Sequence, residues 1–394
     1  MDYVAYAIPF FLLAIAIELS WDRLKGTQYY RANDTVNSLS LGILSTTSKL
    51  VLINIAAMVY LWVQQHFSLS QWQSVSAWHW VFAFVFYDLC YYLFHRISHE
   101  RKIFWAAHVA HHQSEEYNLS TALRQTSMSF LLSWVFYIPC FLIGMPAELF
   151  VSVASINLIY QFWVHTRFIP ELGPVEWVLV TPSNHRVHHA RNAHYIDRNY
   201  GGVFIVWDRL FGTYQREDPE QAVDYGITRG LNSWNPLWAN VHVYWSMLQD
   251  SWTTALWADK WRVWFGRTAY SPPDIDKGPL HLGQHYNPEV TSGLRNYILA
   301  QFALAVVLAV VLIYGSAELP FAAVLGLFVM LLISLISLGW IFEGGYRWFE
   351  YLRLLLIPVL AYFIYPALWF AVTIACLLSI VVFYWLSRAK SIAS

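Results

Sequence analysis

The sequence predicts an all-α protein that crosses a membrane several times, and three observations predict it. Apolar residues make up 57% of the 394-residue chain and charged residues 12%, about half the roughly 25% charge of a soluble protein. Apolar runs approaching the ~20 residues needed to span a bilayer recur along the chain. Aromatics reach 18%, with 21 Trp, which suits a chain solvated by lipid and ringed by interfacial side chains.

The elements follow in order. The first apolar run, 3–20, has no basic residues before it and no small-residue cleavage pattern after it, so it reads as a retained span rather than a signal peptide. The second, 38–64, is interrupted by Lys49 and a run of Ser and Thr. It is expected as an interfacial helix followed by a short span, with Lys49 reaching toward the headgroups. Runs 77–94, 129–145 and 147–164 come next, the last two forming a hairpin broken at Pro146. Runs 294–314, 319–341, 351–365 and 367–387 complete the set, with Pro366 between the final pair. That makes nine expected spanning or re-entrant helices. Three regions are expected: a core over 1–220, a Trp-rich segment over 221–293 and C-terminal membrane helices over 294–394. No internal repeat or low-complexity tract is present.

Loop charges orient the spans. Arg23, Lys25 and Arg31 follow the first, and the loop 65–76 has no Lys or Arg. Arg96, Arg101, Lys102 and Arg124 follow the third, and twelve more lie in 166–295. The loop 315–318 has none, 342–353 has Arg347 and Arg353, and the tail has Arg388 and Lys390. The positive-inside rule then places the N-terminus outside and the C-terminus inside. It also collects 95–127 and 165–293 on the cytosolic side of either a bacterial inner membrane or the endoplasmic reticulum.

Residues 230–267 hold seven Trp (Trp234, Trp238, Trp245, Trp252, Trp257, Trp261 and Trp264) at roughly helical spacing. An amphipathic helix lying in the membrane interface is expected there, with a substrate portal as the alternative. The net charge of −1 provides no basic patch, so no nucleic-acid partner is expected. Cys90, Cys140 and Cys376 lie in apolar runs and form neither a disulfide framework nor a metal spacing. They read as small buried apolar residues.

The 15 histidines carry the chemistry. His95 and His99 form HRISH at the end of the third span. His108, His111 and His112 form HVAHH, and His185, His188 and His189 form HRVHH. Residues at i, i+3 and i+4 share one face of a helix. His95 and His99 are therefore expected to aim at one metal, and each HxxHH box to present three imidazoles together. Eight imidazoles supply about four ligands for each of two metals, and His165, at the end of the fifth span, makes nine. Imidazole suits iron, zinc, copper or nickel, and the ligand form is the neutral one. A single His at a span end is more often a hydrogen-bonding interfacial residue; three boxes on one membrane face are not explained that way. His281 and His285 sit in a Pro-rich loop and are left out. His66, His79 and His242 read as interfacial. His194, Asp197, Asn199 and Tyr200 follow the last box closely enough to orient its histidines, although Asn199 before Gly201 and Gly202 also fits a turn. Asp208 and Arg209 read as a local ion pair fixing a loop. His99-Glu100 begins a zinc-protease HExxH, but position 103 is Ile. The Glu-x-x-His pattern of soluble di-iron bundles is absent.

At these three boxes the sequence resembles the fatty acid hydroxylase/sterol desaturase superfamily of membrane di-iron enzymes, over roughly residues 20–220. The stretch NHRVHHARNAHYIDRNYGGVFIVWDRLFGTY, residues 184–214, and the membrane helices after it are similar to the alkylglycerol monooxygenase branch. The resemblance implies two iron ions, O2 as co-substrate and hydroxylation of a lipid chain taken from the bilayer. In that branch the carbon attacked lies beside an ether oxygen and the reductant is tetrahydrobiopterin. Gln161 stands where some superfamily members have a further His, four residues before His165. No Gly-rich dinucleotide fingerprint, haem module or flavin module is encoded. Electrons are therefore expected from a separate electron-transfer protein or a diffusible pterin. Alternatives are a sterol or fatty acyl desaturase or hydroxylase with the same metal site, a metal transporter, or a non-catalytic lipid-binding protein.

Overall fold

The computed structural model describes residues 3–52, 55–72, 74–278, 280 and 283–388. His281 and Lys390 lie outside the described residues. Among these residues there is no strand, only three isolated β-bridges; the protein is all-α. Helix α1 (Val4–Lys25) closes on Gly26 at φ 67°, a left-handed cap whose N–H bonds the Asp22 carbonyl. The second expected span divides into α2 (Ala32–Ser48) and α3 (Ile55–Phe67), with Lys49 in the turn that ends α2. Helix α4 (Ala77–Glu100) starts at Ser76, whose side chain and backbone N–H both engage His79. Then come α5 (Lys102–Ala106), a 3₁₀ turn at Val109–Gln113 and α6 (Leu119–Ala122).

The run 129–145 departs from expectation. It is not one continuous helix but two 3₁₀ turns, Ser129–Leu131 and Ser133–Tyr137, followed by α7 (Ile138–Leu142). Pro139 favours the break: it lacks an N–H and is best accommodated in a first helical turn, and here the helix starts at 138. After Pro146, α8 (Ala147–Trp163) is regular. Helices α9 (Pro182–His188), α10 (Val206–Phe211), α11 (Pro236–Thr253) and α12 (Trp257–Phe265) follow. The Trp-rich segment is thus two helices with a corner rather than one, and Trp234 lies buried outside both. Last come α13 (Ser292–Gly315), α14 (Phe321–Phe342), α15 (Arg347–Ile364) and α16 (Trp369–Arg388).

Among the described residues, four helical stretches are long and apolar enough to cross a membrane: Val4–Lys25, Ser292–Glu318, Phe321–Phe342 and Pro366–Arg388. Helices α3, α4, α8 and α15 cover other expected spans but are shorter or more polar. The protein is an integral membrane protein with several apolar helices.

The chain divides into two compact units: Met1–Arg31, Asn54–Gly230 and Asn240–Gly283 form one, and Ala32–Ile53, Leu231–Ala239 and Gln284–Ser394 the other. In the first, α3, α7 and α8 pack around α4 through Tyr60, Tyr87, Cys90, Tyr137, Phe141 and Leu149. Cys90 and Cys140 are free thiols in this apolar core, as Cys376 is in the other unit. Two buried carboxylates tie the helices to the loops. Glu18 of α1 accepts from the hydroxyls of Thr166 (2.5 Å) and Tyr30 (2.5 Å) and from the Leu119 N–H (2.7 Å). Asp88 of α4 accepts from Asn157 Nδ2 of α8 (2.6 Å), the N–H groups of Val203 and Phe204, and Trp207 Nε1.

In the second unit α13 to α16 and α2 share a core that includes Ile298, Leu331 and Leu338. It also encloses an ion pair. Glu350 and Arg353 are buried at 0% and 4% exposure and joined at 2.5 and 2.8 Å. Ser337 and Tyr297 donate to Glu350, and Arg353 donates to Gln301 (2.8 Å). Ionised groups among apolar helices persist only when paired in this way. Removing one partner leaves an uncompensated buried charge, a loss of about 3–5 kcal/mol. Thermal unfolding in detergent should therefore show Glu350→Leu and Arg353→Met each strongly destabilised, and the double variant less so than either. Additive losses would contradict this reading.

Candidate metal centre

The nine histidines singled out from the sequence converge. Their nitrogens form two groups: His95, His99, His108, His112 and His188 in one, and His111, His165, His185 and His189 in the other. Within each, the ligand atoms lie within 4.8 Å of one another. His95 and His99 stand one turn apart at the end of α4 and serve the same group, as their spacing predicts.

The HxxHH boxes behave differently from the expectation of three imidazoles on one face. His111 and His112 lie on a 3₁₀ turn, not an α-helix, and His108 is the residue that caps its start. His108 and His112 join the α4 pair, and His111 points to the other group. In HRVHH, at the end of α9, His185 and His189 join His111, and His188 crosses to the five-histidine group. In both boxes the i and i+4 residues act together and the one between is aimed elsewhere. His165, just past α8, completes the four-histidine group.

Backbone carbonyls fix several rings. His95 Nδ1 donates to the Tyr200 carbonyl (2.8 Å), His111 Nδ1 to Arg124 (2.8 Å), His165 Nδ1 to Gln161 (2.8 Å) and His188 Nδ1 to Arg198 (3.0 Å). A carbonyl only accepts, so in these rings Nδ1 carries the proton and Nε2 offers a lone pair. The Nε2 atoms nevertheless face one another: His111 to His165 at 3.4 Å, His95 to His108 at 3.1 Å, His185 to His165 at 3.1 Å. For His111 and His165 both Nδ1 atoms are tied to carbonyls, so two lone pairs point together with no proton to share. Two nitrogens about 2.1 Å from a common metal ion are roughly 3.0–3.4 Å apart. The buried Nε2 of His188 has no hydrogen-bond partner either. This donor set fits metal ions.

Burial keeps the rings in the ligand form. Desolvation lowers every one of the nine, and the other imidazoles push most of them further down. His111 is lowered to about 4 and His188 to about 3.

Residues around the last box divide by what they touch. Tyr200 holds His95 through its carbonyl, and its own N–H and that of Gly201 are gripped by the Asp208 carboxylate at 2.7 Å. Asp208 therefore fixes this loop through backbone and Thr213 contacts, not through Arg209 as expected. Arg209 instead stacks on Trp177 and Tyr214. Gln161 holds His165 by its carbonyl, and its side chain is taken by Tyr91 and Asn157. Asn199, at φ 55°, bonds the backbone of Asn184 and Gln215 and so makes the turn. Asp197, at φ 60°, is exposed. His194 is exposed with its ring on Tyr195, outside both groups.

Sequence reasoning missed Asp88, Arg124 and Tyr117. Asp88 pins the loop after the last box to α4; its signal was a carboxylate in an apolar run. Gly202 is required beside it, since a Cβ there would meet Tyr91 at 2.8 Å and Asp88 at 2.9 Å. Arg124 is buried, donates to the Ala110 carbonyl (2.7 Å) and offers its own carbonyl to His111. Tyr117 packs its ring on His165 and His189 at 5.6 and 5.3 Å.

Comparison with known proteins places the chain. The family model described as fatty acid hydroxylase matches residues 80–213, which hold all nine histidines. The human alkylglycerol monooxygenase is 37% identical over 355 residues, covering 87% of this chain and 78% of that protein. The chain belongs to the fatty acid hydroxylase family. The alkylglycerol monooxygenase of Danio rerio is 36% identical over 97% of this chain and 88% of its own length. An ornithine lipid hydroxylase of Rhizobium tropici is 27% identical over 41% of this chain and 49% of its own. No solved structure matches. As a member of this family the chain is a lipid-hydroxylating membrane oxygenase, and the histidine groups suit its metal site.

The lowered histidines set a pH dependence. A free His titrates near 6.5, and the metal-free folded protein holds these rings unprotonated well below that. Between the two values the unfolded chain binds more protons, so stability falls as pH falls. Unfolding followed by intrinsic fluorescence should show metal-free protein losing stability steadily below about pH 6.5, and metal-loaded protein resisting to lower pH. Identical profiles would contradict the site.

Proposed function

We propose that this protein holds one iron ion in each histidine group and uses O2 to hydroxylate an alkyl chain of a lipid, with an alkylglycerol ether as substrate. The observation that carries the metal reading is the pair of Nε2 lone pairs of His111 and His165, facing each other at 3.4 Å with both Nδ1 protons tied to carbonyls. Support for the ether lipid comes from the relatives' identity over most of their length. The metal-ligand roles fall to His95, His99, His108, His112 and His188 for one ion, and His111, His165, His185 and His189 for the other. When bound, iron supplies the activation of O2 that apolar C–H bonds require. The protein's part is to hold nine neutral imidazoles, keep water away and present the chain. Tyr200, Gln161, Arg124 and Arg198 orient rings through their carbonyls.

Electrons come from outside the chain, from a reduced pterin such as tetrahydrobiopterin or from a separate electron-transfer protein. The basic loops support an orientation with the metal centre and C-terminus on the cytosolic side and the N-terminus outside.

Metal analysis and Mössbauer spectroscopy of anaerobically purified protein should find two coupled irons per chain. His111→Ala and His188→Ala, one from each group, should each lose bound iron and turnover. With isotopic O2 and an alkylglycerol, hydroxylation beside the ether oxygen gives a hemiacetal that falls apart to an aldehyde carrying the label. Iron-free active enzyme would refute the metal reading, and labelled product from sterols or fatty acyl chains alone would refute the ether lipid.

A further inference from the structure

The nine imidazoles are not equally covered. Eight are buried, at 8% exposure or less, and His108 alone among them is partly exposed. The four-histidine group is closed over by Tyr117, which is itself fully buried. The five-histidine group is least covered at His108, and the side chain beside that residue is Trp105. Its ring centroid is 5.1 Å from that of His99, 5.6 Å from His112 and 6.4 Å from His108, and it too is partly exposed. The His108 N–H donates to the Trp105 carbonyl at 2.9 Å, so the indole and the imidazole sit one turn apart on a single short turn. Indole nitrogen is a donor only, so Trp105 is no ligand. It is a flat apolar wall beside three of the five imidazoles.

The surroundings of α5 point the same way. Trp105 belongs to α5, and α11 and α12 back that helix, Met247 of the one and Val263 of the other packing with Ala106. Lys102 N–H bonds the Gly266 carbonyl (3.1 Å) and Thr268 N–H bonds the Glu100 carbonyl (3.2 Å), so the two segments are joined through their backbones. The outer side of α12 and the corner before it expose Trp252 (89%), Trp257 (76%), Trp261 (65%) and Phe265 (56%). Aromatic surface of this kind belongs at the lipid–water boundary.

We infer that the lipid chain reaches the metal centre from the His108 side and lies against Trp105, which determines which chains are accepted and which carbon is presented. This rests on the reading of the protein as a lipid oxygenase. The indole excludes water from the five-histidine group and gives an acyl or alkyl chain a surface to pack on, with no polar demand that only one headgroup could meet. Selection at Trp105 is thus selection by shape and length. One methylene more or less in an apolar pocket changes specificity by roughly 10–200-fold, so truncating an indole has room to show.

The test uses full-length protein in nanodiscs. An alkyl lipid with a diazirine in its chain should, on photolysis, label the peptide that carries Trp105 and His108. Labelling confined to the Tyr117 side, or none from a lipid that the wild type oxygenates, overturns the inference. Trp105→Ala should keep its metal, lower kcat/KM for the preferred chain length by about tenfold and flatten the chain-length profile, while Trp105→Phe restores most of both. An unchanged profile with metal intact also overturns it. A wild type that oxygenates no lipid at all would instead overturn the underlying reading, and the two failures are distinguishable.

Discussion

The structure depends on keeping nine clustered imidazoles neutral, eight of them buried, with lone pairs turned inward. Neutral rings alone would not do this, since a free imidazole rotates to share its N–H with a neighbour. Here that N–H is removed from the centre by a backbone carbonyl in four of the rings. The carbonyls are ones that regular structure leaves over. Gln161 lies in the last turn of α8, where carbonyls have no partner further along the helix. The His165 side chain takes the position that a following N–H would fill. Tyr200 and Arg198 lie in a loop with no ladder to join. The metal centre is therefore built at the ends of helices because that is where acceptors are free, and the 3₁₀ turn and short α9 are consequences of the same need.

A loop that supplies oriented carbonyls must itself be rigid. The segment after HRVHH achieves this with two buried carboxylates, each facing several N–H donors. Asp208 grips the N–H groups of Tyr200 and Gly201 from within the loop, and Asp88 grips Val203, Phe204 and Trp207 from α4. Carboxylates stay buried when surrounded by donors in this way. Two residues of positive φ, Asp197 and Asn199, flank Arg198 and bend the chain, so that carbonyls two residues apart, those of Arg198 and Tyr200, serve His188 and His95. Glu18 gives a parallel fixture from α1 to Thr166, the residue after His165.

The sequence disclosed the histidines because their chemistry resides in side chains at helical spacing, and HRISH behaves as its period says. The division of HVAHH between two groups was not legible. It depends on a 3₁₀ turn, and nothing in the HVAHH box itself distinguishes that turn from an α-helical one. Tyr200 and Gln161 act through carbonyls that any residue possesses, so no identity at those positions could reveal the role. Asn199 was legible as a turn residue, and turn chemistry is what it does. His194 misled because nearness in sequence to a box is not nearness in space once the chain reverses at Asn192 to Tyr195. Among the apolar runs, 129–145 was misread because its composition is that of a span while Pro139 dictates its geometry.

The asymmetry of the two groups follows from the helices that feed them. Each HxxHH box gives two rings to one group and one to the other, in opposite senses, so together the boxes supply three to each. The remaining difference is that α4 adds two rings, His95 and His99, and α8 adds one, His165. The boxes are shared, so any shift of the 3₁₀ turn or of α9 moves rings in both groups at once. The two groups are mechanically one object. Only α4 and α8 act on a single group each, and Asp88 to Asn157 at 2.6 Å joins those two helices directly. That bond ties together the two helices that each feed a single group, and it is one of the four donor contacts that hold the Asp88 carboxylate in the middle of an apolar helix.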